Sequence, residues 1–328
     1  MKKMRFAFWA LVAVLVVLPG KRCFAAQEQE PNDSIYNAQV ISFGTEYSGK
    51  VQDIDFGDDE DYYKFSVHEG NFYKISIYNM VDLTDSDWYT MIVSLSTENN
   101  TEDEDSIMIG DYSDRSSLFR AKYSGYYYLH FGNTSYSSYS FRVEQYNPSG
   151  KKVKDTDGNT YKITGNRTLE FEKIASKQNS DFYFDTSQTF RSIDGIEILG
   201  SYDTCFKVTA IGSYAFKGSK ITQINIPKEI TKIGTGAFQN CKYLGDEEYM
   251  MGVVIHGKNV KIESKAFSGC KRLESIRILK TASVKSVKKN AFKGTKKGIQ
   301  VEVPNVKKYK KIFKNAGFKK PKYSKSYI

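Results

Sequence analysis

Histidine and cysteine are scarce in this chain, whose 328 residues include three His and four Cys. His68, His130 and His256 stand far apart, and none lies in an H-E-x-x-H pattern, which would bind a catalytic zinc ion. The sequence also lacks a G-x-S-x-G nucleophile turn, a phosphate-binding loop and a G-x-G-x-x-G dinucleotide pattern. These absences predict that the protein is not an enzyme.

The cysteines beyond the N-terminal region are Cys205, Cys241 and Cys270. A set so small and odd in number does not make a disulfide framework. No histidine or further cysteine accompanies them at the spacing of zinc ligands. We therefore expect Cys241 and Cys270 to be small buried residues packed against turn backbone.

Long hydrophobic runs are limited to one, from Phe6 to Leu18. Its 13 residues are fewer than the roughly 20 that a spanning helix needs. Basic residues precede the run, and the small residues Ala25 and Ala26 follow it. This order predicts a secretory signal peptide over residues 1–25, no transmembrane segment in the mature form, and a secreted or cell-surface location.

Charge is unevenly distributed along the chain, although the formal net charge is only +10. Residues 26–147 contain 22 Asp or Glu against 7 Lys or Arg, whereas residues 148–328 contain 16 against 36. Pro, Ser and Gly between Tyr146 and Lys152 mark the change, as expected at a domain boundary. We predict an acidic domain followed by a basic domain.

The basic half repeats one nine-residue phrase: IGSYAFKGS from Ile211, IGTGAFQNC from Ile233, IESKAFSGC from Ile262 and VKKNAFKGT from Val287. The phenylalanines of the four phrases are separated by 22, 29 and 25 residues. Such a period is typical of solenoids, in which each unit buries its apolar face against its neighbours. We predict that four side chains line one interior: Phe216, Phe238, Phe267 and Phe292.

Short segments with alternating apolar and polar residues follow the phrases, as in ITQINIP and LESIRIL. Alternation of this kind predicts a short strand with one buried face. The opposite side chains would form a broad outer surface suited to binding a protein or a glycan. The predicted recognition residues on that surface are Gln223, Asn225, Ser275 and Arg277.

The pattern IGxxAFxxC followed by LxxIxIP resembles the BspA-like leucine-rich repeats of bacterial surface proteins, and the resemblance runs from about Tyr161 to Phe318. It implies repeats over residues 206–303, preceded by a linker and lead-in segment over 148–205. Residues 304–328 would form a C-terminal capping helix and a basic tail, because their apolar residues have helical spacing. Members of that family are mostly adhesion or recognition proteins.

Lysine dominates the end of the chain, where residues 257–328 contain 20 Lys and 2 Arg against 3 acidic residues. Three interpretations remain open: a solvated surface, attraction to an anionic cell-wall polymer or glycan, and nucleic-acid binding. The low Arg content and the lack of an alternating aromatic platform argue against specific nucleic-acid recognition.

The acidic half contains period-2 segments with turn residues between them: YYKFSV, FYKISIY, YYYLHF and YSFRV. Strands at this density predict an antiparallel, jelly-roll-like β-sandwich over residues 26–147. The expected fold class is thus mainly β, with a sandwich followed by a short leucine-rich-repeat solenoid.

The segments EQEPNDSIYNA, DDEDYYKFSV, EGNFYKISI and SGYYYLHF resemble the bacterial pre-peptidase C-terminal domain. Related collagen-binding modules of secreted collagenases hold Ca²⁺ between an E-x-E-x-N segment and an Asp-rich loop. The resemblance implies a calcium site formed by Glu28, Glu30, Asn32, Asp58 and Asp61. A solvated acidic loop is the alternative. The Asp-rich loop is one residue shorter than in the collagenase modules, so the ligand at this place could be Asp58 or Asp59.

Together these features predict a secreted, nonenzymatic recognition or adhesion protein that binds an extracellular protein or glycan. One alternative is an accessory or inhibitory module of a secreted protease system. Another is a structural cell-wall protein retained by attraction to a polyanion. The residues make no prediction of the oligomeric state. Where the related modules have collagen-binding aromatic residues, this sequence has Gly132 and Thr134, with Tyr136 and Tyr139 nearby, so collagen binding stays open.

Overall fold

The computed structural model describes residues 25–51, 60–82, 92–97, 100–108, 115–132, 137–178, 180, 182–200, 205–245 and 252–326. The predicted signal peptide lies outside the described residues except for Ala25, and so does Asp58. Within these ranges the protein is mainly β and contains one α-helix. No described helix has the length and apolar composition required to cross a membrane.

The acidic half contains ten described strands: β1 (Ala26–Gln27), β2 (Gln39–Val40), β3 (Glu46–Val51), β4 (Glu60–Val67), β5 (Phe72–Asp82), β6 (Ile92–Thr97), β7 (Asn100–Met108), β8 (Arg115–Arg120), β9 (Gly125–Gly132) and β10 (Ser137–Tyr146). They form two sheets, with the orders β1-β3-β10-β5-β8 and β2-β4-β9-β6-β7. Apolar side chains from both sheets meet in one cluster.

The period-2 prediction for these strands is confirmed at the level of burial. Alternate residues through the described middle of β4, β5, β9 and β10 are buried: Tyr63, Phe65, Val67, Tyr73, Ile75, Ile77, Tyr127, Leu129, Phe131, Tyr139, Phe141 and Val143. The expectation of purely antiparallel sheets is wrong, because β1 runs parallel to β3 and β2 runs parallel to β4. These two-residue edge strands belong to the chain entering the fold, where no hairpin turn forces an antiparallel direction.

The basic half contains β11 (Lys152–Lys154), β12 (Thr160–Gly165), β13 (Thr168–Lys173), β14 (Ser187–Gln188), β15 (Ser192–Ile193), β16 (Ile196–Ile198), β17 (Phe206–Ile211), β18 (Ile224–Ile226), β19 (Lys232–Ile233), β20 (Val253–Ile255), β21 (Val260–Ile262), β22 (Ser275–Ile278), β23 (Val284–Val287), β24 (Gln300–Val303), α1 (Val306–Ile312) and β25 (Lys322–Lys325). The first repeat sheet has the order β11-β12-β13-β17-β19-β21-β23, with β14 also paired to β17. The second repeat sheet has the order β18-β20-β22-β24-β25. The repeated turns connect the two sheets.

A column of phenylalanine rings runs through the interior of the repeats. The four predicted rings stack with centroid separations of 4.9 Å at each step, which confirms their common interior. Phe171 continues the column at one end, 4.8 Å from Phe216, and Phe318 continues it at the other, 4.7 Å from Phe292. The sequence pattern missed these two rings because neither lies in a copy of the nine-residue phrase.

Cys241 and Cys270 occupy equivalent places in successive turns, and both are free and fully buried. The Cys241 thiol contacts the carbonyl oxygen of Phe216 at 3.0 Å, and the Cys270 thiol contacts that of Phe238 at 3.1 Å. Each thiol therefore donates to the backbone of the preceding turn. The expected packing role is confirmed.

The two halves share a sheet and a core. Strand β16 lies parallel to β8, so the first sheet of the acidic half continues into β16 and β15. Phe72 and Leu118 of the acidic half belong to the apolar cluster of the repeats. The predicted linker, residues 148–205, thus supplies strands to both sheet systems, and its buried apolar residues belong to the cluster of the repeats.

Arg120 lies at the centre of this junction. Its guanidinium donates hydrogen bonds to the carbonyl oxygens of Asn166 at 3.4 Å and Cys205 at 3.3 Å. The same group lies over the rings of Phe72 and Phe206, which are stacked with centroids 5.9 Å apart. A cation held between two rings and two carbonyl groups ties the halves together more tightly than surface charge alone.

The last turn is covered by the predicted cap. Asn305 caps the helix α1 by accepting a hydrogen bond from the Lys308 amide, and Tyr309 and Phe313 are buried beneath it. The Tyr309 hydroxyl accepts a hydrogen bond from the Val284 amide at 3.2 Å. The basic tail adds β25, a strand that its lysine-rich sequence did not predict, to the edge of the second repeat sheet.

Each repeated phrase contains a residue with left-handed backbone at the same position. The φ angles there are 61° at Tyr214, 60° at Gly236, 59° at Lys265 and 62° at Asn290. Glycine adopts this conformation without strain, and asparagine tolerates it. In lysine the close contact between Cβ and the backbone costs free energy. The tertiary stack therefore imposes the conformation on Lys265.

We predict that Lys265→Gly raises the free energy of unfolding by about 1 kcal/mol, because it removes left-handed strain at an exposed position. Ser264→Gly is the control, since Ser264 precedes it in the same turn and has no positive φ. That change should lower stability by about 0.5–1 kcal/mol. Urea unfolding measures both, and equal destabilisation by the two variants would refute the prediction.

Candidate metal centre and recognition surface

Three predicted metal ligands come together at one end of the acidic half. One carboxylate oxygen from each of Glu28, Glu30 and Asp61 lies within 4.8 Å of the others. Glu28 and Glu30 follow β1, whereas Asp61 lies on β4 and points inward with the buried residues of that strand. Residues distant in sequence therefore form one carboxylate cluster.

The chain after β1 is fixed against β3. The Glu28 amide donates to the Ser48 carbonyl at 3.0 Å, and a Glu28 carboxylate oxygen accepts from the Lys50 amide at 2.9 Å. Gly49 lies between these two contacts, and a Cβ there would overlap both the Glu28 carboxylate and the Tyr139 hydroxyl. The absence of a side chain at Gly49 thus makes room for the cluster.

Asn32 is fixed by hydrogen bonds of its backbone, whereas its side-chain amide makes none within the part of the chain that the structure describes. Its amide donates to a Glu30 carboxylate oxygen at 3.2 Å, and its carbonyl accepts from the Tyr62 amide at 2.9 Å. The residue is fully buried, and neither polar atom of its side chain has a hydrogen-bond partner among the described residues. An unpartnered buried amide is costly unless a further group binds it.

Two buried tyrosines form a chain of hydrogen bonds that ends at Asp61. The Tyr139 hydroxyl donates to an Asp61 carboxylate oxygen, so the Tyr63 hydroxyl, 2.9 Å away, donates to Tyr139. Burial and then the Asp61 charge raise the pKa of Tyr63, and burial foremost raises the pKa of Tyr139. The period-2 pattern identified both tyrosines as core residues but carried no signal of their contact with Asp61.

These residues fit a hard divalent cation. Calcium prefers six to eight oxygen ligands, and three carboxylates with a buried amide oxygen supply that chemistry. A cation would offset the mutual repulsion of the carboxylates and give the Asn32 oxygen a partner. Asp58, the remaining predicted ligand, belongs to 52–59, which the structure does not describe.

The predicted recognition residues all belong to the second repeat sheet or its approach. Asn225 is exposed at the centre of β18, and in register it is followed by Val254, Arg277, Glu302 and Ser324 on the neighbouring strands. In β18, β20, β22 and β24 the residues on either side of them belong to the apolar core, so the row faces away from that core, although Val254 itself is buried. We name this row the outer row.

Two of the predicted residues are engaged within the sheet. The Arg277 guanidinium binds the Glu302 carboxylate through two nitrogens, at 2.5 and 3.4 Å. The Ser275 hydroxyl accepts from the Gly252 amide at 3.4 Å. Gln223 is half-buried, so Asn225 is the most accessible of the four. The partner of Arg277 could have been predicted, since Glu302 stands at the equivalent position of the next repeat.

Comparison with known proteins identifies the repeats. Residues 186–245 and 246–326 match the family described as BspA type Leucine rich repeat region, with six copies, two more than the four phrases seen in the sequence. The match covers less than half of the chain and supports a BspA-like repeat in the basic half. The comparison with curated proteins found no match.

Among solved structures, the chain is similar to the pre-peptidase C-terminal domain of collagenase from Bacillus anthracis. The two are 22% identical, and the alignment covers 33% of this chain and 94% of that chain, with a TM-score of 0.27.

The tyrosine pair beneath Asp61 predicts a loss of stability in alkali. Tyrosine in an unfolded chain ionises near pH 10. Because the folded-state pKa values are raised, stabilisation is complete below about pH 10 and is lost as the pH rises further. Tyr139→Phe should flatten this loss by about 1.4 kcal/mol per pH unit and lower stability at pH 7 by about 1–3 kcal/mol.

Denaturant unfolding between pH 7 and pH 11 measures both effects. Tyr183→Phe is the matched control, because Tyr183 is 79% exposed. It should leave the stability and its pH dependence unchanged. An unaltered pH slope in Tyr139→Phe would contradict the proposed burial of the protonated hydroxyl.

Proposed function

We propose that this protein is a secreted or surface-associated, nonenzymatic recognition protein. Residues 26–147 act as a calcium-stabilised β-sandwich module, and residues 206–303 act as a solenoid that binds an extracellular protein or glycan. Residues 304–328 close the solenoid. The match to BspA type repeats supports this role, since proteins with such repeats are typically surface or secreted recognition proteins.

The second repeat sheet is the proposed binding surface. Its five parallel strands present the outer row, in which polar and charged side chains predominate. Backbone hydrogen bonds between the strands and the column of phenylalanine rings hold the strands in place. Little conformational entropy would therefore be lost from this surface when a partner binds. This rigid row is the observation that carries the proposal.

We expect a binding screen of matrix proteins and glycans to give a partner that is lost when the outer row is blocked. Asn225→Trp should weaken the interaction by at least about tenfold, because a large side chain on the row would separate the surfaces. Lys261→Trp is the control, since Lys261 is exposed at a comparable position of the first repeat sheet. Surface plasmon resonance measures both affinities.

The ionic strength of the measurement separates two classes of partner. A packed interface should persist as salt is raised, whereas retention by general charge should collapse. A partner lost equally in both tryptophan variants, or lost only in Lys261→Trp, would contradict recognition by the outer row.

We further propose that Glu28, Glu30, Asn32 and Asp61, with Asp58, hold Ca²⁺. The carboxylate cluster and the unpartnered Asn32 amide support this proposal. When bound, the ion would supply positive charge that joins the chain after β1 to β4. Its role would be structural, because it would connect the N-terminal segment to the sheet behind it.

Calcium at about 100 times its Kd should stabilise the folded protein by about 2.7 kcal/mol. Thermal melts with Ca²⁺ and with chelator measure this difference, and calorimetric titration measures binding directly. Glu30→Gln with Asp61→Asn should abolish both signals. Glu144→Gln, which alters a carboxylate on β10 away from the cluster, should retain them. Identical melts of the unaltered protein with and without Ca²⁺ would refute the proposal.

A further inference from the structure

The residue that follows each nine-residue phrase is a lysine in all four copies. These residues are Lys220, Lys242, Lys271 and Lys296. They come directly after the column of small residues that includes Cys241 and Cys270, at the point where each turn leads toward the second repeat sheet. We name the four residues the lysine ladder.

The stacked turns set the spacing of this ladder. Just before it, backbone amides of one phrase donate to carbonyl groups one position earlier in the next phrase, from Gly218 to Gln239, from Asn240 to Ser268 and from Gly269 to Lys293. The phenylalanine rings, each four positions before its ladder lysine, repeat every 4.9 Å. The ladder therefore places one lysine side chain on each successive turn.

All four lysines are exposed. Lys296 forms an ion pair with Glu274, and no salt bridge of the other three lysines is seen among the described residues. Arg272 and Lys297 lie one position further along their turns, and Arg272 covers the ring of Tyr243 at 5.2 Å. Among the described residues, this surface thus carries positive side chains on several turns and the Glu274 carboxylate beside Lys296.

Parallel stacking forces these like charges to be neighbours, because equivalent residues of successive turns lie side by side. Aligned ammonium groups repel one another, and long side chains can only partly separate them. A ligand that carries a regular series of negative charges would remove that repulsion at every step. A small anion would neutralise one lysine only.

We propose that the lysine ladder binds a linear anionic polysaccharide, which lies across the turns with its carboxylate or sulfate groups on successive lysines. Lysine is a point charge suited to such contacts, whereas base recognition favours the planar fork of arginine. Single-stranded nucleic acids also require aromatic side chains on which bases stack. Among the described residues, Tyr243 directly follows Lys242, and the Arg272 guanidinium lies over its ring. A single ring does not make a series of stacking side chains, which favours a polysaccharide over a nucleic acid.

This site is separate from the outer row. The ladder lies on the turns, whereas the outer row lies on strands β18, β20, β22, β24 and β25. It also differs from general attraction to the basic half, because it assigns binding to four lysines among many. Its failure would therefore leave the proposed function of the strand surface intact.

The test compares two fourfold variants of the full chain with the same loss of charge. The ladder variant changes Lys220, Lys242, Lys271 and Lys296 to Gln. The control variant changes exposed lysines on four neighbouring strands of the first repeat sheet to Gln: Lys207, Lys232, Lys261 and Lys285. Circular dichroism melts establish that both remain folded.

The probes are heparin oligosaccharides, which carry sulfate groups, and oligogalacturonate, which carries carboxylates alone. Calorimetric titration should show that the ladder variant loses at least about tenfold in affinity for a bound probe, whereas the control variant loses less than about threefold. The negative slope of log K against log salt concentration should become shallower by about 3 in the ladder variant, as expected when four charge contacts are lost.

A second measurement needs no variant. A bound oligosaccharide should protect the four ladder lysines from acetylation, read by mass spectrometry, while the control lysines stay reactive. Equal loss of affinity in the two variants, or no binding of either probe, would overturn the proposal. Tighter binding of a single-stranded oligonucleotide that is lost in the ladder variant would overturn the assignment to a polysaccharide.

Discussion

Each repeat of the basic half can bury its phenylalanine only against the ring of the next repeat. This dependence holds the column from Phe171 to Phe318 together at nearly constant spacing. It also explains the thiols that reach the preceding turn and the left-handed residue that recurs in every phrase. Because a repeat has no core of its own, removing one ring would disturb both neighbours.

A stack of this kind needs both ends closed, and the two ends are closed differently. At the C-terminal end α1 buries Tyr309 and Phe313. At the other end the lead-in segment covers the first turn and continues into a sheet of the acidic half through β16. The acidic half is therefore part of the closure, and Arg120 joins it to the backbone of the lead-in segment.

The two proposed kinds of site follow from different physical arrangements. At the cluster of Glu28, Glu30 and Asp61, chain segments distant in sequence bring like charges together in a partly buried place, which favours a bound cation. On the repeats, stacking brings like charges together at the surface, which favours an extended anion. In both places the fold brings like charges together, and a ligand of opposite charge would relieve their repulsion.

The sequence alone determined the repeat period, the four aligned rings, the inward residues of β4, β5, β9 and β10, and the packing of Cys241 and Cys270, because each follows from local periodicity. Only the tertiary structure decided that Phe171 and Phe318 extend the column, that the predicted linker joins two sheet systems, and that Tyr139 bonds to Asp61. Those contacts join segments with no shared local pattern. Periodicity reports which face of a segment is buried, whereas the partner on that face depends on how the whole chain closes.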